Sequence, residues 1–153
     1  MAITVYVDLS AKVEQWVRDS AVVMANDQQQ RAYLVPHGVK QRARKLIKEL
    51  YGAKSDRYRL LAILVYLIVR DSLGTIDLIV IDKDYHGADV EATIKNLLLA
   101  LIRLDKPEAT SGMIIFKEIK GSKADKIAKQ IYDGKSVADR VLSFEEVERL
   151  LRR

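Results

Sequence analysis

From residue 3 to residue 8 the chain alternates. Ile3, Val5 and Val7 point one way and Thr4, Tyr6 and Asp8 the other, the period of a strand with one covered face. Segments 21–25 and 31–35 flank the polar stretch Asn26-Asp27-Gln28-Gln29-Gln30 and read as a hairpin. Between strand and hairpin, 10–19 fits either a short helix or an irregular connection. After Pro36-His37-Gly38 the apolar spacing turns helical, with Val39, Ala43, Leu46, Ile47 and Leu50 on one side and Gly52 as a stop. Ser55 can cap a second helix running to about residue 72, apolar nearly all round and therefore buried. Segment 76–81 is a continuous apolar strand bearing one charge, as the covered centre of a sheet requires. A helix at about 89–104 carries its stripe at Ile94, Leu97, Leu98, Leu101 and Ile102. A strand at 113–119 follows, then a helix at 123–132 ended by Gly134. Ser143 and Glu146 form a capping box for a last short helix.

The order is three strands, two helices, strand, helix, strand and two helices. This argues an α/β fold: one mixed sheet of about five strands, the first three antiparallel, with helices on both faces. At 153 residues a single domain spanning 1–153 is the natural count. The longest apolar run, 60–69, is too short to span a bilayer, so no membrane partner is expected. No basic stretch followed by an apolar one opens the chain, which reads as cytoplasmic. The absence of cysteine removes disulfides, thiolate zinc sites and cysteine nucleophiles together. A net charge of +5 suits a polyanionic partner such as DNA or RNA. Oligomeric state is left open, a homodimer included.

Three aspartates sit at element ends: Asp8 closes the first strand, Asp82 follows the central strand, and Asp125 lies in the first turn of the helix after the last strand. Singly, Asp125 also suits a helix dipole and Asp82 a strand-ending turn. Grouped, such carboxylates repel and need a cation, and hard oxygen donors select Mg²⁺ or Mn²⁺. Those ions activate water and neutralise charge on a phosphoryl group.

The stretch Gly121-Ser122-Lys123-Ala124-Asp125-Lys126-Ile127-Ala128-Lys129 resembles the last motif of the ribonuclease H-like superfamily, in which a small residue, Asp and x-Leu-Ala open the final helix. Asp82-Lys83-Asp84-Tyr85 resembles its central Asp-Ser-x-Tyr motif, and Asp8 falls where the family's first strand carries a metal ligand. The order of elements is similar over most of the chain. The resemblance implies Asp8, Asp82 and Asp125 as ligands of Mg²⁺ or Mn²⁺ in a nuclease. Two departures stand out. Ser55-Asp56-Arg57-Tyr58-Arg59-Leu60 aligns with the helix that usually carries a metal-binding Glu, and it places Arg59 there. Either Asp56, one turn earlier, takes the part of that Glu, or Arg59 holds the scissile phosphate; Asp84 is a further candidate fourth carboxylate. The loop Lys117-Glu118-Ile119-Lys120-Gly121 also lacks the histidine common in these nucleases.

An additional helix at about 39–51 presents Lys40, Arg42, Arg44, Lys45 and Lys48, the densest basic run in the chain. It is either a nucleic-acid-binding surface that neutralises phosphates or a solvated helix face. His37 and His86 have no acid-plus-nucleophile partners in the pattern, although His86 follows the Asp84-Tyr85 pair. Trp16, Tyr6 and Tyr33 are candidates for stacking on bases or for the core. Neither a Walker sequence nor a Rossmann glycine triplet is present. The leading expectation is a divalent-metal-dependent nuclease, with an exonuclease trimming single strands as its favoured form. The alternatives are a catalytically inactive ribonuclease H-like module that binds nucleic acid and a protein-interaction domain.

Overall fold

A computed structural model of the chain describes residues 2–83 and 87–153. Strand β1 (Thr4–Ser10), β2 (Ser20–Ala25) and β3 (Gln30–Val35) are followed by helices α1 (His37–Tyr51) and α2 (Asp56–Val69). Then come β4 (Leu78–Asp82), α3 (Ala88–Asp105), β5 (Ile114–Lys117), α4 (Lys123–Tyr132), the two-residue β6 (Arg140–Val141) and α5 (Phe144–Leu151). The sheet runs β5-β4-β1-β2-β3-β6. The β1–β2 and β2–β3 pairs are antiparallel, while β1–β4, β4–β5 and β3–β6 are parallel.

The hairpin of β2 and β3 turns as its composition predicts. The Asn26 side-chain oxygen accepts from the Gln28 and Gln29 backbone N–H groups at 2.9 Å each, an Asx turn that closes the loop without glycine. Segment 10–19 resolves in favour of the irregular connection. β1 persists to Ser10, and Ala11 then takes a φ of 58°, left-handed backbone that an alanine adopts only where neighbours hold it. One such neighbour is Ser20, whose hydroxyl donates to the Ala11 carbonyl at 2.8 Å.

Alternation along the strands sorts two cores. Val5, Val7, Val22, Met24, Ile79 and Ile81 join the helices α1, α2, α3 and α5 in one large cluster. Val23, Ala25, Ala32 and Val80 meet Ala124 and Ala128 of α4 in a smaller one. Helix α2 is buried along nearly its whole length, as its unbroken apolar sequence requires. Among the described residues, no helix is long and apolar enough to cross a membrane.

Three details depart from the pattern. Helix α1 starts two residues before Val39, directly after Pro36, whose fixed φ suits a helix entry. Ile76 belongs to the turn before β4, its N–H bonded to the Ser72 carbonyl at 3.2 Å, and buried apolar character alone does not separate such a turn from a strand. β6 was not anticipated, being only two residues long in a polar stretch.

Candidate functional site

Asp8 and Asp82 arrive together because β1 and β4 are parallel neighbours. The register pairs Thr4 with Leu78 through Val7 with Ile81, and one step further along brings Asp8 beside Asp82. Val7 and Ile81 point into the large core, so the next residue of each strand faces the α4 side. Helix α4 packs across β1 and β2 and brings its first turn to the same place. That turn is fixed locally. Ser122 caps it by accepting from the Asp125 N–H at 3.2 Å, and Asp125 Oδ2 accepts from the Gly121 N–H at 2.8 Å. Gly121 sits at φ 84°, which suits glycine as the chain swings from β5 into the helix.

Asp8, Asp82 and Asp125 thus line one cavity of about 380 Å³, with Ser10, Lys12, Gln15, Lys129 and Tyr132 among its other walls. Asp8 is 5% exposed. Each carboxylate is oriented by a backbone donor: Leu9 N–H to Asp8 at 2.8 Å, Ile119 N–H to Asp82 at 3.2 Å, and Gly121 N–H to Asp125. Burial would raise the Asp125 carboxyl, but the Gly121 N–H, the Lys129 side chain and a hydrogen bond with Asp8 outweigh it and hold Asp125 below the usual carboxylate range. The Lys129 ammonium stands 3.3 Å from Asp125. Carboxylates that share a hydrogen bond, as Asp8 and Asp125 do, are tolerated only with a proton or a cation between them.

The donor set is all carboxylate oxygen, which suits a hard divalent ion. The side chains as placed do not close on one: among the described residues no group of three or more His, Cys, Asp or Glu is arranged to hold a metal ion. Asp84 and His86 lie outside the described residues.

The other expected site residues are elsewhere. Asp56, buried at the start of α2, accepts from Arg44 Nε at 3.0 Å and does not line the carboxylate cavity. Arg59 lies with its guanidinium 3.8 Å from the centre of the Tyr51 ring and lines a separate cavity between helices. Neither substitutes for a fourth ligand, because α2 packs in the large core on the other side of the sheet.

The basic helix also requires correction. Lys40 is 0% exposed, its ammonium donating to the Gln15 carbonyl and the Ser20 hydroxyl at 2.8 Å each. Arg44 is committed to Asp56 and to the Trp16 ring, and Arg42 lies over Phe144. Lys45 and Lys48 remain on the surface. Helix α1 packs on α2 and α5, away from the α4 face. Tyr33 is buried, whereas Trp16 is partly buried against the large core. His37 pairs with Asp19 at 2.8 Å, and its backbone N–H and ring hold the Asp19 carboxyl low.

The cations that do stand near the carboxylates are others. A second cavity of about 450 Å³ abuts the first, sharing Asp82, Asp125 and Lys129 and adding Lys83, Lys120 and Glu118. For Lys120 and Lys129 the sequence carries a signal: lysines recur every third residue at 117, 120, 123, 126 and 129, all of them exposed.

Comparison with known proteins finds no matching family model, no matching curated protein and no matching solved structure.

Proposed function

We propose that this protein is a divalent-metal-dependent nuclease whose reaction centre is the cavity of Asp8, Asp82 and Asp125. The observation that carries the reading is convergence: three carboxylates from β1, β4 and α4, far apart in sequence, line one cavity. Asp8, Asp82 and Asp125 would hold a Mg²⁺ or Mn²⁺ ion, which supplies an activated water and neutralises charge developing on a phosphoryl group. The backbone donors at Leu9, Ile119 and Gly121 each hold an oxygen of one carboxylate in place toward the cavity. Lys83, Lys120 and Lys129, around the adjoining cavity, would receive the phosphates of a DNA or RNA strand. Lys129 has two parts to play: it neutralises Asp125 in the absence of substrate and faces phosphate in its presence. The order of elements and the motif at Asp125 resemble the ribonuclease H-like superfamily and support the same chemistry.

A second reading is favoured by one specific observation. Asp125 is already neutralised by Lys129, and Asp56 and Arg59 of α2 stand apart from the cavity. An inactive nucleic-acid-binding module of the same fold would look like this. One experiment separates the two: end-labelled single- and double-stranded DNA and RNA incubated with Mg²⁺ or Mn²⁺. Metal-dependent cleavage lost in Asp82→Asn supports the nuclease. Salt-sensitive binding with no cleavage under any metal supports the inactive module.

A further inference from the structure

A cavity of about 180 Å³ lies where α2, α3, α5 and the end of α1 meet, in the helical layer that the large core joins to the opposite face of the sheet from α4. Its walls are mainly apolar, built from Ala62, Ile63, Leu97, Leu101 and Leu150. Two cationic side chains open onto it, Arg59 from α2 and Arg153 beyond α5, and among the described residues no Asp or Glu lines it. The Tyr51 ring covers the Arg59 guanidinium, and the Tyr51 hydroxyl is itself engaged, donating to the Leu151 carbonyl at 2.6 Å.

Arg59 Nε is shielded from solvent and, among the described residues, has no acceptor. A buried donor on a permanently charged group is costly to leave unmatched, and native structures satisfy nearly all of them. Among the described residues no side chain of the lining is placed to accept from it, and the Tyr51 hydroxyl is turned to the Leu151 carbonyl. The two cationic side chains have, among the described residues, no carboxylate in the lining to balance them. What its walls accept is an apolar body: an apolar hole of roughly 150 Å³ takes a benzene ring.

We infer that this cavity is a binding site for a small aryl carboxylate, its ring against Ala62, Ile63, Leu97 and Leu101 and its carboxylate accepting from Arg59. The guanidinium already lies against the Tyr51 ring, so less side-chain freedom is lost on binding than a fully solvated arginine would lose. Arg153, at the exposed edge, adds a second positive charge to the mouth. The site is independent of the carboxylate cavity and of any nuclease activity there.

The test uses the full chain with sodium benzoate and, as the uncharged match, benzyl alcohol, followed by amide chemical shifts and calorimetry. Benzoate is expected to saturate with shifts concentrated in α2, α3 and α5, and to bind at least about tenfold more tightly than the alcohol, as a charge-assisted hydrogen bond requires. Arg59→Lys keeps the charge but removes Nε and the fork; it should cost benzoate about tenfold and leave the alcohol unchanged. Ala100→Leu, on an exposed position at the cavity wall, should weaken both probes without touching Arg59. Equal affinity for the two probes, benzoate binding indifferent to Arg59→Lys, shifts mapping elsewhere, or no saturable binding would each overturn the assignment.

Discussion

On one face of the sheet Val5, Val7, Val22, Met24, Ile79 and Ile81 meet four helices in a core that takes in nearly all of α2. On the other face the same strands present Asp8, Val23, Ala25 and Val80, and the α4 residues buried against them are the alanines Ala124 and Ala128. The first face is built mainly of large apolar side chains, and the second mixes small apolar groups with a carboxylate at a strand end. A single period-2 pattern supplies both, because every residue that leaves the dry core points to the sparsely covered side. The division has a consequence: substitutions on one face should act on stability and on the other on chemistry. Only variants that move one property without the other support it.

The largest separation is expected at Asp82. Asparagine keeps the oxygen that accepts the Ile119 N–H but removes the charge a cation needs, so Asp82→Asn should reduce metal-dependent cleavage by at least about 100-fold. Its melting temperature without metal should stay the same or rise, since the variant keeps the Ile119 bond and removes one negative charge from a cavity lined by three carboxylates. Cleavage assayed beside a thermal melt decides it; loss of activity through loss of fold would erase the distinction between the faces.

The converse variant is Leu64→Ala, in the middle of α2 and fully buried. Truncating such a side chain leaves a hole, at a cost of about 2–5 kcal/mol. Cleavage measured well below the lowered melting temperature should be unchanged. Urea unfolding gives the first quantity and the end-labelled substrate the second. A cleavage rate that falls in step with stability would mean that the two faces are coupled.

Why the carboxylate face was readable in advance, and the rest of its surroundings was not, follows from the range of the signals. Asp8, Asp82 and Asp125 each carry a local mark, a strand end or a helix start, and strand order does the rest. The positions of Lys40, Asp56 and Arg59 depend on which side of α1 and α2 is covered, and by what. Lys40 follows Val39 and looked like a surface cation. Its burial comes from segment 10–19, whose path no periodicity reveals, folding so that Gln15 and Ser20 supply its acceptors. Asp56 and Arg59 were aligned by a motif that says nothing about how α2 is rotated about its axis. Lys120 and Lys129 near the cavity belong to a three-residue repeat that gains meaning only once the loop before α4 is placed beside Asp82, and Lys83, also near the cavity, carries no such mark.

Those lysines provide a sharper, smaller comparison. Lys83→Gln combined with Lys120→Gln should lower the slope of log affinity against log salt by about 1.4–1.8 for single or double strands. Lys45→Gln combined with Lys48→Gln, on α1 across the sheet, should leave it unchanged. Nucleic-acid binding followed across a salt series gives both slopes. Equal reductions would return the interface to the α1 face, as the basic run in the sequence first implied.

The smallest effect is expected at Lys40, where the two faces touch through segment 10–19. Burial pulls its ammonium down to about 8 from the ordinary 10.5, against the opposing attraction of Asp19 and Glu14. Between pH 8 and 10.5 the unfolded chain therefore holds more protons than the folded one, and this contribution to stability rises with pH. Below pH 8 the lysine is protonated in both states, and the cost of burying its charge is present in full. Lys40→Met has no such dependence, although it loses the bonds to Gln15 and Ser20. The stability of wild type relative to Lys40→Met should accordingly increase by about 1 kcal/mol between pH 8 and pH 9, and hardly at all between pH 6 and pH 7. Urea melts of both proteins at those pH values measure it. A pH-independent difference would show that the ammonium escapes to water, and the support it gives to Gln15 at the edge of the carboxylate cavity would go with it.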